Sequence, residues 1–168
     1  MSWAQRIVDL LKAQDIRFIV YVPDMVVWQV LQLMEEDPFF HLVAATREEE
    51  ALGIASGAYA ARKRSAVFMQ SSGFGNCLNA LGSLCIPYRI PFPMFISLRG
   101  ELGEFNIAQV ALGRAVVPIL DSLALQHFAP RTEAELEPMV DGAIRLCYSS
   151  RTPVAVLLAP MLTGGKRG

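Results

Sequence analysis

Apolar residues recur along the chain in two alternating rhythms, and the switches between them outline its elements. Ser2 stands where it can cap a helix in which Trp3, Ile7, Leu10 and Leu11 share one face, with Arg6, Asp9 and Lys12 outward. Arg17 to Val22 is a nearly continuous β-forming run, the pattern of a strand covered on both faces. Asp24 is placed to cap a helix over Met25 to Glu36 whose apolar face carries Val27, Val30, Leu31 and Met34, and Pro38 stops it. His41 to Ala45 reads as a second short strand.

The alternation continues. A helix is predicted from Glu48 to about Ala61, a strand over Ser65–Gln70, a tight glycine turn over Ser71–Gly75 and a helix over Asn76–Leu84. A fourth strand lies within Pro91–Leu98, a loop over Arg99–Ala108, a short strand over Val116–Leu120 and a short helix over Asp121–Gln126. Glu135–Tyr148 is a helix with Leu136, Met139, Val140, Ala143 and Ile144 on one side; Pro138 falls in its first turn, where a missing N–H costs little. Pro153–Ala159 is a last buried strand, followed from about Leu162 by a tail. Strands of four to eight residues alternating with helices predict an α/β fold, a doubly wound, mainly parallel sheet with helices on both faces, in one domain over residues 1–168.

Composition narrows the function classes. Hydrophobic residues make up 53% of the chain and charged residues 18%, an apolar balance for a globular domain. No run of about 20 uncharged apolar residues occurs, so a membrane-spanning helix does not account for it; a large interface with another chain does. The net charge of −1 and the lack of a basic, aromatic-rich cluster exclude nucleic acid as an expected partner. Arg62-Lys63-Arg64, the one basic run, reads as a solvated helix end. Cys77, Cys85 and Cys147 lack metal-binding spacing and read as reduced thiols; with no signal-peptide pattern after Met1, the expected compartment is the cytoplasm.

Candidate chemistry falls where such a sheet binds ligands, beyond the carboxyl ends of its strands: Asp24, Glu48, Ser71 to Asn76, and Arg99 with the loop after it. Ser72-Gly73-Phe74-Gly75-Asn76 can hold an anion or can be a turn whose glycines supply unusual dihedrals and close packing. Glu48, Glu49 and Glu50 open a helix, where carboxylates favour the helix dipole; that reading suits Glu49 and Glu50. Asp24 can be only an N-cap and Arg99 only a solvated loop charge. His41 reads as a packed core residue, and His127 as the cap of a short helix.

Taken together, Arg47-Glu48-Glu49-Glu50-Ala51-Leu52-Gly53-Ile54-Ala55-Ser56-Gly57, a strand, and then Gln70-Ser71-Ser72-Gly73-Phe74-Gly75-Asn76 resemble the pyrimidine-binding domain of thiamine-diphosphate enzymes. Val22-Pro23-Asp24 and Arg99-Gly100-Glu101-Leu102-Gly103-Glu104-Phe105-Asn106 are similar to the sulfopyruvate decarboxylases, in their alpha-subunit type, and next to the phosphonopyruvate decarboxylases. The resemblance implies a carboxy-lyase acting on a small anionic 2-oxo acid, 3-sulfopyruvate or phosphonopyruvate, in coenzyme M synthesis or organosulfonate metabolism. It implies that Glu48, with Glu49 as second candidate, binds the cofactor's aminopyrimidine, that Ser72 to Asn76 line the cofactor, that Asp24 relays protons and that Arg99 binds the substrate's second anion. The family's Gly-Asp-Gly stretch for magnesium and diphosphate does not occur in this chain. The resemblance therefore implies a beta subunit carrying the diphosphate and magnesium in a hetero-oligomer, no metal ligand here, and no activity for the chain alone. A rival of another class is a non-catalytic α/β binding or assembly module.

Overall fold

The computed structural model describes residues 2–164. Six parallel strands form one sheet in the order β2-β1-β3-β4-β6-β5. They are β1 (Phe18–Tyr21), β2 (His41–Ala44), β3 (Ser65–Gln70), β4 (Pro93–Ser97), β5 (His127–Phe128) and β6 (Val154–Leu158). The central strands β4 and β6 are buried at every position, as their unbroken apolar runs require. The chain steps outward from β1 to β2 and then back across to β3, so the switch in strand order lies between β1 and β3. Crevices open at such switches, beyond the strands' carboxyl ends.

Helices cover both faces. On one side α1 (Trp3–Ala13), α2 (Trp28–Glu35) and α7 (Glu133–Ser150) close a core around Phe68 and Phe95, whose rings stack with centroids 4.6 Å apart. On the other, α3 (Glu48–Ala60), the helical stretch after β3 and α6 (Val110–Ser122) pack over Val67, Met69, Met94 and Ile96. Successive strand residues point to opposite faces, so β3 and β4 feed both cores at once. Ser2 caps α1 by accepting from the Gln5 N–H at 3.2 Å. Thr132 and Glu135 form a capping box at α7.

Several local expectations are corrected. The second helix begins at Trp28, three residues later than predicted, because Asp24 first organises a turn: its carboxylate accepts from the Val26 N–H at 3.0 Å and its carbonyl from the Trp28 N–H at 2.8 Å. His41 is not in the core; β2 is an edge strand, and His41 is exposed and stacked on Phe18. There is no turn after β3. Helical backbone starts at Ser71, runs through α4 (Ser71–Phe74), a 3-10 turn (Gly75–Cys77) and α5 (Leu78–Ala80), and ends in a π-helical turn (Leu81–Cys85).

Val116 to Leu120 is not a strand but part of α6. The β-branched residues suggested extension, yet Val116 and Leu120 lie one helical turn apart and are both fully buried, and that packing overrides propensity. α6 ends at Ser122, so the short helix over Asp121–Gln126 does not form. His127 belongs to β5, where its Nε2 meets Asp121 Oδ1 at 3.0 Å. Since α7 starts at Glu133, Pro138 sits in its second turn rather than its first. Pro160–Thr163 forms a short α8 within the expected tail, and residues 165–168 lie outside the described residues.

Candidate active site

The three carboxylates at the start of α3 separate by their partners. Glu50 Oε2 accepts from the Thr46 N–H at 2.7 Å and so serves the helix start, which has no side-chain cap at Arg47. Glu49 Oε1 pairs with Arg47 Nε at 2.8 Å, while its Oε2 is buried without a hydrogen bond. Glu48 instead lies across Gly73. An added Cβ at Gly73 would stand 1.8 Å from Glu48 Oε1. Among the described residues, the one hydrogen bond to the Glu48 carboxylate comes from Asn76 Nδ2 at 3.3 Å.

This contact explains the glycine. Neither Gly73 nor Gly75 has a positive φ, so unusual dihedrals are not the reason for them; at Gly73 the reason is the space that the Glu48 carboxylate occupies. Cys77 lies below, wholly buried, and its thiol is pushed well above the ordinary range by burial first and then by the charges of Glu48 and Glu49. Phe74 is also wholly buried, its ring part of the core, and Gly75 faces Leu112 of α6.

A second group gathers at the ends of β1, β3 and β4. Gln70 donates through Nε2 to Asp24 Oδ1, Ser97 donates through Oγ to Asp24 Oδ2 at 2.8 Å, and Ser72 donates to Gln70 Oε1 at 2.5 Å. Asp24 and Gln70 line a cleft of about 500 Å³ with Pro23, Met25, Trp28, Arg99, Asn106 and Gln109. Gln109 Oε1 is buried there without a partner. Sequence reasoning did not single out Gln70, Ser97, Glu104 or Gln109 for a role; the available signal was a polar residue closing an otherwise apolar strand, as Gln70 and Ser97 do.

Arg99 is not a solvated loop charge, being only 6% exposed. Its Nε and Nη2 grip Glu104 Oε2 and Oε1, each at 2.7 Å, and Glu104 also accepts from the Gly100 and Asn106 N–H groups. The Arg99 fork, burial partly opposing, brings the Glu104 carboxyl down to about 2; Arg99 in turn is held above its ordinary value by Glu104 first. A Cβ at Gly113 would fall 1.8 Å from the Arg99 carbonyl oxygen, so α6 packs directly on this backbone. The structure thus brings Glu48, Gly73 and Asn76 together, and separately Asp24 with Arg99. Residues Gln70 to Gly73 join the two groups.

The residues fit the expected cofactor's pyrimidine. Glu48 is half-buried and weakly hydrogen-bonded, and among the described residues no cation is paired with it, which leaves its carboxyl able to bind a ring nitrogen. Among the described residues no group of three or more His, Cys, Asp or Glu is arranged to hold a metal, and no helix is long and apolar enough to cross a membrane.

Residues 1–98 match the family described as thiamine pyrophosphate enzyme, N-terminal TPP binding domain. The chain is 40% identical over 157 residues to the sulfopyruvate decarboxylase subunit alpha of Methanocaldococcus jannaschii, covering 94% of this chain and 93% of that one. It is 41% identical over 148 residues to the corresponding subunit of Methanothermobacter thermautotrophicus, covering 88% and 90%. It is also 31% identical over 156 residues to a sulfopyruvate decarboxylase of Methanosarcina acetivorans, covering 93% of this chain but 40% of that longer protein.

Proposed function

This chain belongs to the thiamine pyrophosphate enzymes through their N-terminal TPP binding domain, and on that premise we propose that it is the alpha subunit of a two-component decarboxylase converting 3-sulfopyruvate to sulfoacetaldehyde and carbon dioxide. The observation that carries the reading is Glu48 lying over Gly73, while Glu49 Oε1 is paired with Arg47 and Glu50 caps the helix start. Glu48 binds the aminopyrimidine of thiamine diphosphate, with Asn76 steadying its carboxylate and Ser72, Gly73 and Gly75 forming the wall beside it, while the Phe74 ring stays in the core. Thiamine diphosphate, when bound, supplies the electron sink that lets carbon dioxide leave the 2-oxo acid.

Asp24 relays a proton to and from substrate in the cleft. Arg99 holds the substrate's sulfonate. Glu104 uses one N–H each of Nε and Nη2, so of the five guanidinium donors three are left for an anion, and the clasp keeps the plane fixed. A beta subunit contributes the diphosphate and magnesium site and docks beside the cleft, where Leu102 and Ile107 are 84% and 87% exposed and Met25, Trp28 and Leu112 are also uncovered. Partial coverage of the longer Methanosarcina protein supports this division into two parts. The three free, buried thiols support a cytoplasmic setting.

The test is carbon dioxide release from sulfopyruvate by the chain mixed with its beta subunit, thiamine diphosphate and magnesium. Activity that disappears with Glu48→Gln, in a chain that keeps its melting temperature, supports the reading. Release from phosphonopyruvate alone moves the substrate assignment, and no release from any 2-oxo acid overturns the enzyme.

A further inference from the structure

The polar cluster at the strand ends has a fixed direction. Gln70 and Ser97 are register partners on β3 and β4, so their side chains leave the sheet on the same face. Asp24, just past the end of β1, receives both, and the Val26 N–H adds a third donor. A carboxylate offers about four lone-pair sites; three are filled, which leaves one, on Oδ1. The acceptor-only Asp24 carboxylate decides which way the Gln70 amide is turned, and the Ser72 hydroxyl donates to the Oε1 left on the other side. Were the amide reversed, Oε1 would face the carboxylate oxygen and Asp24 would lose a donor. Ser97 is wholly buried at the end of an apolar strand, and Asp24 takes the hydrogen bond of its hydroxyl.

We infer that Gln70 and Ser97 are positioning residues, which hold the Asp24 carboxylate so that the free lone pair of Oδ1 faces substrate in the cleft. The inference rests on the reading of Asp24 as proton relay. It assigns Ser72 a supporting part, as the group that tethers the Oε1 end of the Gln70 amide. Two side-chain donors on opposite oxygens prevent the carboxylate from rotating about its Cβ–Cγ bond, and a proton relay loses efficiency when its oxygen is misdirected even slightly.

The experiment uses the holoenzyme, this chain with its partner subunit, thiamine diphosphate and magnesium. Ser97→Thr keeps a hydroxyl and Ser97→Val replaces it with a methyl of the same shape. S97T is expected to stay within about threefold of wild-type kcat and S97V to fall about tenfold below S97T, with KM within about twofold in both. Q70L is expected to lose about tenfold in kcat with the same melting temperature, and to cost nothing further in a D24N background. Equal rates for S97T and S97V, or Q70L costing as much with D24N as without it, overturn the inference while leaving Asp24's role intact. Where D24N has no measurable rate, the S97T and S97V pair decides. A D24N enzyme at wild-type kcat removes the relay itself, and the inference with it.

Discussion

Replacing Gly73 by alanine probes the site at its narrowest point. The new Cβ would lie 1.8 Å from Glu48 Oε1, 2.0 Å from Cδ and 2.5 Å from Cγ, whereas real Cβ contacts do not fall below 3.0 Å. The carboxylate must therefore move by more than about 1 Å. Glu48 is a long, half-buried side chain, so displacing it by about 30° from its rotamer costs about 0.5–1.5 kcal/mol. Alanine in helical backbone returns up to about 1 kcal/mol over glycine. The two nearly cancel, and the melting temperature should change by only a few degrees. Activity should not survive so well, because a catalytic group misplaced by about 1 Å loses on the order of 100-fold in rate. Carbon dioxide release at saturating substrate and thermal melting, read on the same preparation, separate the two effects. Gly142→Ala, on an open face of α7, is the control: it should raise the melting temperature by a few degrees, as alanine in an open helical position does, and leave activity unchanged. Wild-type kcat in G73A would refute the placement of Glu48, and a fall of many degrees in melting would refute the view that Gly73 serves the site rather than the fold.

Gly53 and Gly57, with nothing within 4 Å of an added Cβ, should each stabilise the isolated chain by up to about 1 kcal/mol when changed to alanine; if that face of α3 meets the beta subunit, gel filtration will show weaker assembly. The Glu104 carboxyl is depressed from its ordinary 4.5 to about 2, so the clasp with Arg99 stabilises at pH 4.5 and above and fades as pH falls toward 2. Urea-unfolding midpoints of wild type and E104Q should thus differ by a constant amount above pH 4.5 and converge below it; a gap that persists near pH 2 contradicts the clasp. Arg99→Ala should raise KM for sulfopyruvate about tenfold or more, with a smaller effect for pyruvate, which lacks the second anion. Burial raises the thiols of Cys77, Cys85 and Cys147, so a thiol reagent at pH 8 should label none in the native chain and all three after denaturation.

The strands and long helices were legible because their signals are local. Val154 to Leu158 could be little other than a buried strand, and Ser2 marks a helix start by its own chemistry. The errors lie where a distant partner overrules a local preference. Val116 and Leu120 are helical because both sink into the core below α6, and His41 is exposed because β2 has a neighbour on one side only. The glycines after β3 were noticed for the right reason only in part: close approach was one of two readings, and the group that approaches lies 25 residues earlier in the chain.

Periodicity and composition alone determined an α/β sheet, an apolar excess calling for a partner, and a short set of polar residues at strand ends. Tertiary structure decided which members of that set meet. Glu48 is distinguished from Glu49 and Glu50 by the Gly73 backbone and Asn76 beside it, Arg99 acquires Glu104 across a loop, and Asp24 gains Gln70 and Ser97 from strands it does not adjoin in sequence. The physical reason is range: hydrophobic rhythm is written within a few residues, whereas hydrogen-bond partners and contact distances depend on how separate elements come to rest against one another.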